Sequence, residues 1–197
     1  MSKSAPGPAH DALFALVSAQ AGHFTAAQAR TLGFTDKLLH HYVSTGRFLR
    51  RRRGVYRFRD FPATRFEDLA ELLLSAGPTA TFSHETALVI HDLADLLPGR
   101  IHIAVPRSSK RRVADARVQL HRLTLAPSDV EQGEGLRVTT ATRTLRDVAG
   151  RIEPEQFEVA VRQALSRGLT DQRKLRSIIG RPYGRPWRAL RPFVLPR

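Results

Sequence analysis

Residues 24 to 58 read FTAAQARTLGFTDKLLHHYVSTGRFLRRRRGVYRF, two short helical patterns followed at once by two apolar runs that close on four arginines. Thr25 and, three residues later, Gln28 form a capping box in which hydroxyl and amide satisfy each other's orphan backbone donors; this starts a helix near Ala26 that runs to Leu32. Gly33 breaks that helix, and Thr35 is a natural N-cap for another that ends before Gly46. Two short helices joined through a glycine over about three residues match a helix-turn-helix. Upstream, HDALFALVSAQAG places Leu13, Leu16 and Val17 on one face of a first helix, with Gly22 able to end it.

The segment GRFLRRRRGVYRF, residues 46 to 58, then sets the rest of the arrangement. A run of like charges is ordinarily a disordered tail or a solvated surface. Here Phe48 and Leu49 lead in, Val55, Tyr56 and Phe58 lead out, and Gly54 supplies a positive-φ residue for a tight reversal, so the arginines form the tip of a β-hairpin. A recognition helix followed directly by a basic hairpin is the order of a winged helix. On the third helix Leu39 and Val43, with Leu38 and Tyr42 beside them, face the core. The opposite side carries Asp36, Lys37, His40, His41 and Ser44, a face of hydrogen-bonding groups suited to base edges and phosphates. The expected DNA-reading residues are therefore Thr35, Lys37, His40, His41 and Ser44. The expected wing contacts to phosphate or minor groove are Arg47, Arg50, Arg51, Arg52, Arg53 and Arg57. A plain helical hairpin with a wet face, and a β-hairpin that serves solubility alone, are the bland readings of the same residues.

The charge distribution favours the DNA reading. The 197-residue chain carries a formal net charge of +14, which points to an anionic partner, nucleic acid first and membrane lipid second. Residues 1 to 60 hold 10 Lys and Arg against 3 Asp and Glu, residues 61 to 150 hold 11 against 11, and residues 151 to 197 hold 11 against 4. A uniformly supercharged surface would not divide in this way. No RRM-like aromatic strand and no GxxG clamp is present, which sets RNA behind DNA. The absence of cysteine excludes disulfides, thiolate metal sites and a cysteine nucleophile, and fits the cytoplasm. The opening MSKSAPGPAHDALFALVSAQ has an apolar core of only ALFALV without a convincing cleavage site, and no apolar stretch approaches the roughly 20 residues needed to span a bilayer. The expectation is a soluble cytoplasmic protein with no membrane partner.

Beyond DFPATRF, whose proline suggests a boundary near Asp60, the pattern is mixed. FEDLAELLLSAG reads as an amphipathic helix, and Ser83 can cap another in FSHETALVIHDL. RIHIAVP and RVQLHRLTL alternate like strands, and LRVTTATRTLRDVAG reads as a strand at Leu136 to Thr139 leading into a helix. PEQFEVAVRQALSRG and DQRKLRSIIG are two more helices. The expected fold class is α+β, with an N-terminal winged helix-turn-helix over residues 10–60 and a mixed α/β domain over 61–180. Residues 181–197 form a basic tail of Pro, Arg and the aromatics Tyr183, Trp187 and Phe193. The prolines argue against regular helix in that tail, and its aromatics argue for packing on the body first and nucleic-acid contact second.

This order of motifs resembles the AbiEi family of antitoxins from type IV toxin-antitoxin and abortive-infection systems, over roughly residues 10 to 180. The pieces that carry the resemblance are G-R-F-L-R-R-x-R-G-V-Y, Ser-His-Glu-Thr-Ala at residues 83 to 87, and Thr-x-x-x-Thr-Leu-x-Asp at residues 140 to 147. The resemblance implies a winged helix that represses its own operon by binding double-stranded promoter DNA. It further implies a second domain with antitoxin activity against a nucleotidyltransferase-type toxin, acting without a stable complex. Solitary family members act as regulators without a toxin, and a protein-protein interaction module is the other class of reading.

No enzyme is expected and no cofactor. His84, Glu85, His91, Asp92 and Asp95 fall on one helix, and His102 or His121 would have to supply a further metal ligand, but their spacing matches no zinc motif. IHIAVPRSSK has the lysine of a restriction-type nuclease strand without its acid, and neither a Walker loop nor a Gly-x-Ser-x-Gly elbow occurs. Asp147 is expected to pair with Arg143 four residues earlier.

Overall fold

The computed structural model describes residues 8–95, 98–133, 135–179 and 185–194. They form two compact units, one ending at Pro78 and taking in residues 135 and 136, the other beginning at Thr79.

The first unit runs α1 (His10–Ser18), β1 (His23–Thr25), α2 (Ala26–Thr31), α3 (Asp36–Ser44), β2 (Phe48–Arg52), β3 (Val55–Phe58) and α4 (Glu67–Ala76). The capping box forms as its residues dictate: Gln28 N donates to Thr25 Oγ1 at 3.2 Å and Thr25 N donates to Gln28 Oε1 at 2.8 Å. Gly33 takes φ +84 between α2 and α3, a left-handed geometry that costs a side chain dearly, and Thr35 then caps α3 by accepting from Leu38 N at 3.2 Å. The three strands form an antiparallel sheet in the order β1-β3-β2. Leu13, Val17, Phe24, Ala29, Phe34, Leu39 and Phe48 are buried between helices and sheet. Phe24 meets Phe48 edge to face at 5.0 Å between ring centres, and Phe48 meets Phe58 at 4.8 Å, contacts worth about 1 kcal/mol each beyond their area. The helix, strand, two-helix and hairpin order is a winged helix.

A boundary near residue 60 leaves α4 outside this unit, whereas the structure packs α4 against the strands and places the division after Pro78. Proline and polar residues at 60 to 64 mark only a turn. The stripe of Leu72, Leu73 and Ala76 buries α4, and a local punctuation signal cannot say on which neighbour.

The second unit runs β4 (Thr81–Phe82), α5 (His84–Ile90), β5 (Ile101–Val105), β6 (Val118–Arg122), a 3-10 turn (Pro127–Asp129), β7 (Val130–Gly133), β8 (Leu136–Thr139), α6 (Ala141–Val148), α7 (Pro154–Ser166), α8 (Gln172–Ile178) and α9 (Arg185–Val194). Its mixed five-stranded sheet has the order β6-β5-β4-β8-β7, with β4 antiparallel to β5 and parallel to β8, and β5 parallel to β6. The strands β4 and β7 carry no legible period, one being two residues long and the other largely polar. Leu88, Leu145, Val148, Phe157, Val161 and Leu175 form the core under the helices. The Thr-x-x-x-Thr-Leu-x-Asp stretch is structural: Thr140 caps α6, Thr144 Oγ1 lies 2.7 Å from Thr139 Oγ1, Leu145 is fully buried, and Arg143 donates through Nε to Asp147 at 3.0 Å.

The expectation that residues 181–197 avoid regular helix is corrected by α9. Pro186 sits in the first turn, where its fixed φ suits a helix, and Pro192 falls near the end, where it forfeits one backbone bond. Leu190 and Val194 pack into the core with Phe193 beside them, and Arg176 Nε donates to Val194 O at 2.9 Å, so this stretch is part of the second unit. Tyr183 lies outside the described residues. Among the described residues no helix is long and apolar enough to cross a membrane.

Candidate nucleic-acid interface

The helix α3 buries Leu39, half-buries Leu38, Tyr42 and Val43, and exposes the other side. Thr35, Lys37, His40, His41 and Ser44 are all exposed on it. Their hydrogen-bonding state differs, since the Ser44 hydroxyl donates to His41 O at 2.8 Å and Thr35 is spent on the cap, while Asp36 pairs with Arg30 at 2.9 Å across the turn. Just past the helix, the exposed Arg47 lies over the Tyr42 ring, 5.4 Å from its centre.

The hairpin is irregular where the arginines sit. Arg50 pairs with Tyr56 and Arg52 with Val55, so Arg51 is the extra residue of a β-bulge. Bulges re-aim side chains out of strict alternation. Here two successive arginines reach one carboxylate: Arg51 Nε stands 3.1 Å from Glu71 Oε2 and Arg52 Nε 3.1 Å from Glu71 Oε1. Asp68 adds a longer contact to Arg51 at 3.6 Å. Arg50 and Arg53 are exposed, and among the described residues neither enters an ion pair. Gly54, at φ +73, turns the tip, where a Cβ would meet nothing but would be strained.

Arg57 is the residue whose expected place is corrected. It belongs to β3 and is 5% exposed. Its guanidinium donates to Phe58 O at 3.0 Å, Phe61 O at 2.7 Å and Glu67 Oε2 at 3.0 Å. Strand alternation turns it away from the hairpin's outer face, and what it holds is the chain leaving the wing and the start of α4. Beside it His23, fully buried, holds its Nδ1 2.9 Å from Ala21 O, and burial pushes its pKa below the ordinary 6.5.

In the second unit the structure assembles a group that spacing conceals. His84, at the start of α5, and His102 and His121, on β5 and β6, bring one ring nitrogen each to within 4.8 Å of one another. The parallel register sets His102 opposite Gln119, so His121 two residues on shares its face of the sheet. The signal was present in the alternation, which put Ile101, Ile103 and Val105 on one side and His102 on the other. His91 lies apart, its Nε2 2.7 Å from Thr139 O. Burial is the chief cause that lowers the pKa of His84 to about 3 and of His121 to about 4; neighbouring positive charge adds to it at both, and Glu85 partly offsets it at His121. Arg143 also reaches Asp129 Oδ2 at 2.7 Å, and burial outweighs that guanidinium at Asp147, whose carboxyl is pushed up.

The architecture thus defines a winged-helix protein with an appended α+β unit. Residues 11–59 match the family model described as "Transcriptional regulator, AbiEi antitoxin", and residues 79–192 match that of the AbiEi antitoxin C-terminal domain. The chain belongs to the AbiEi family of antitoxins and transcriptional regulators. The helix α4 falls between the two matched stretches. Among solved structures, the chain resembles that of the RV2827C protein from Mycobacterium tuberculosis at TM-score 0.54 and 14% identity, covering 93% of this chain and 74% of that one, a likeness of fold. No curated protein matches the sequence significantly.

Proposed function

We propose that the protein represses its own operon through the winged helix and counters a nucleotidyltransferase-type toxin through its second unit, without a stable complex. The observation that carries the DNA-binding half is the juxtaposition, on one small unit, of a polar exposed α3 face with the unpaired guanidinium groups of Arg50 and Arg53. Lys37, His40 and His41 are the base-reading side chains of this proposal. Arg47, Arg50 and Arg53 supply affinity, with Arg51 and Arg52 held in reserve by Glu71. Family membership supports the antitoxin half.

The test is an anisotropy titration against the protein's own promoter and a scrambled duplex at two salt concentrations. Neutralising about four phosphates gives a slope of log affinity against log salt near −4. Selective binding with that slope supports an autoregulator, and Lys37→Ala or His40→Ala then relaxes selectivity. Equal affinity for both duplexes sinks operator recognition. Co-expression with a nucleotidyltransferase-type toxin, scored by growth, tests the second half independently.

A further inference from the structure

We propose that His84, His102 and His121 bind a divalent first-row transition ion of the zinc class, with a fourth coordination position open to solvent through an adjoining cleft.

The donor set and its surroundings carry this. Three neutral imidazoles with one nitrogen each, all within 4.8 Å of one another, match the ligand count of an open zinc site, and no carboxylate or thiolate is needed to complete it. Two of the three rings have an outer polar neighbour that fixes which nitrogen faces the cluster. Ser83 Oγ lies 3.0 Å from His84 Nδ1, which leaves Nε2 of that ring to ligate. Glu85 Oε2 stands 3.3 Å from His102 Nε2, which leaves Nδ1 of that ring to ligate. That carboxylate oxygen is buried with no hydrogen-bond partner, an expensive arrangement for an ordinary surface helix. His102 Nδ1 already faces the cluster, where it shares a hydrogen bond of 2.8 Å with His121 Nε2 that a metal ion would replace.

The backbone is committed to holding these rings. His84 adopts φ +52, a left-handed geometry that costs a non-glycine residue roughly 1 kcal/mol or more and concentrates at functional positions. His102 N donates to Thr86 Oγ1 at 2.8 Å and Ser83 N to His102 O at 3.1 Å, so the start of α5 is tied to β5 at the site itself.

Ligation requires the rings to move. His102 Nδ1 and His121 Nε2 are 2.8 Å apart, and tetrahedral ligation with metal-nitrogen bonds near 2.0 Å separates two nitrogens by about 3.3 Å. The His84 and His121 rings are stacked with centres 3.8 Å apart, so His84 must rotate about χ2, a torsion with a broad minimum in histidine. Arg143, Arg146 and Arg151 line the cleft of about 380 Å³ beside His84 and His121. They oppose a cation, while Glu85 and Asp147 offset them, and they suit an anionic group as fourth ligand.

The test uses the full-length protein stripped with chelator and dialysed, titrated with Zn²⁺ by calorimetry and with Co²⁺ by visible absorption. The expected result is one equivalent bound, with the intense d–d bands of a four-coordinate cobalt site. His121→Gln should weaken binding at least 100-fold, and His10→Gln, far from the cluster in sequence and exposed, should leave it unchanged. Glu85→Gln retains all three ligands and should cost about 10- to 100-fold in affinity. It decides the question even if the His121 variant fails to fold. Undiminished affinity in both variants, six-coordinate cobalt spectra, or binding of inorganic phosphate with no uptake of metal would each overturn the site.

Discussion

The wing and the histidine cluster are both concentrations of basic side chains, and they treat charge oppositely. On the wing, Arg50 and Arg53 keep their charge in water, where hydration costs nothing and a phosphate can reach them. At the cluster, burial strips three imidazoles of theirs, down to a pKa of about 3 at His84. The same contrast recurs within a few residues of the hairpin: Arg53 presents its guanidinium, Arg51 and Arg52 share Glu71, and Arg57 is used up as a structural post. A count of basic residues therefore overstates the charge the surface presents. The difference between presented and consumed charge lies in burial.

The sharpest way to break this contrast is to remove the consumed arginine. Arg57→Ala leaves Glu67 and several carbonyls without their donor, and loss of one partner of a buried pair costs about 3–5 kcal/mol. Urea unfolding should show that loss for Arg57→Ala and almost none for Arg53→Ala. Equal stability of the two variants would mean the guanidinium at 57 is dispensable.

A second effect is pH-dependent. The folded pKa of His23 lies below 6.5, so the unfolded chain binds its proton first as pH falls. Stability is complete above 6.5 and declines below it, with a limiting slope of about 1.4 kcal/mol per pH unit. Protection factors of β1 and β3 amides should fall from pH 7 to pH 5 in the native protein, and fall less in His23→Phe. Parallel curves would assign the decline to other groups.

On the presented side, Arg50→Ala and Arg53→Ala should weaken promoter and scrambled DNA alike, each flattening the salt slope by about 0.9. A variant that changed selectivity instead would move base reading to the wing. The smallest effect sharpens the comparison from the other direction. Glu71→Gln releases Arg51 and Arg52 from their carboxylate, and should tighten nonspecific binding several-fold and steepen the slope. Unaltered affinity would show that the two guanidinium groups already reach phosphate past Glu71.

The local grammar of the winged helix was legible. Thr25 with Gln28, Thr35 at its cap, and a glycine at each reversal depend on neighbours within four residues, and Leu13, Val17 and Leu39 announced part of the core of the winged helix by spacing alone. The pairing of Arg143 with Asp147 is of the same kind, one helical turn apart. What tertiary structure decided is which distant group each polar side chain meets. It put α4 on the wing and so spent Arg51 and Arg52. It folded Arg57 inward, made the Pro-rich end a helix by giving Leu190 and Val194 a core to enter, and drew His84, His102 and His121 together from three elements. Capping and turning are settled by short-range hydrogen bonds and sterics. Burial and charge neutralisation depend on contacts between segments far apart in sequence, and those exist only once the units have closed.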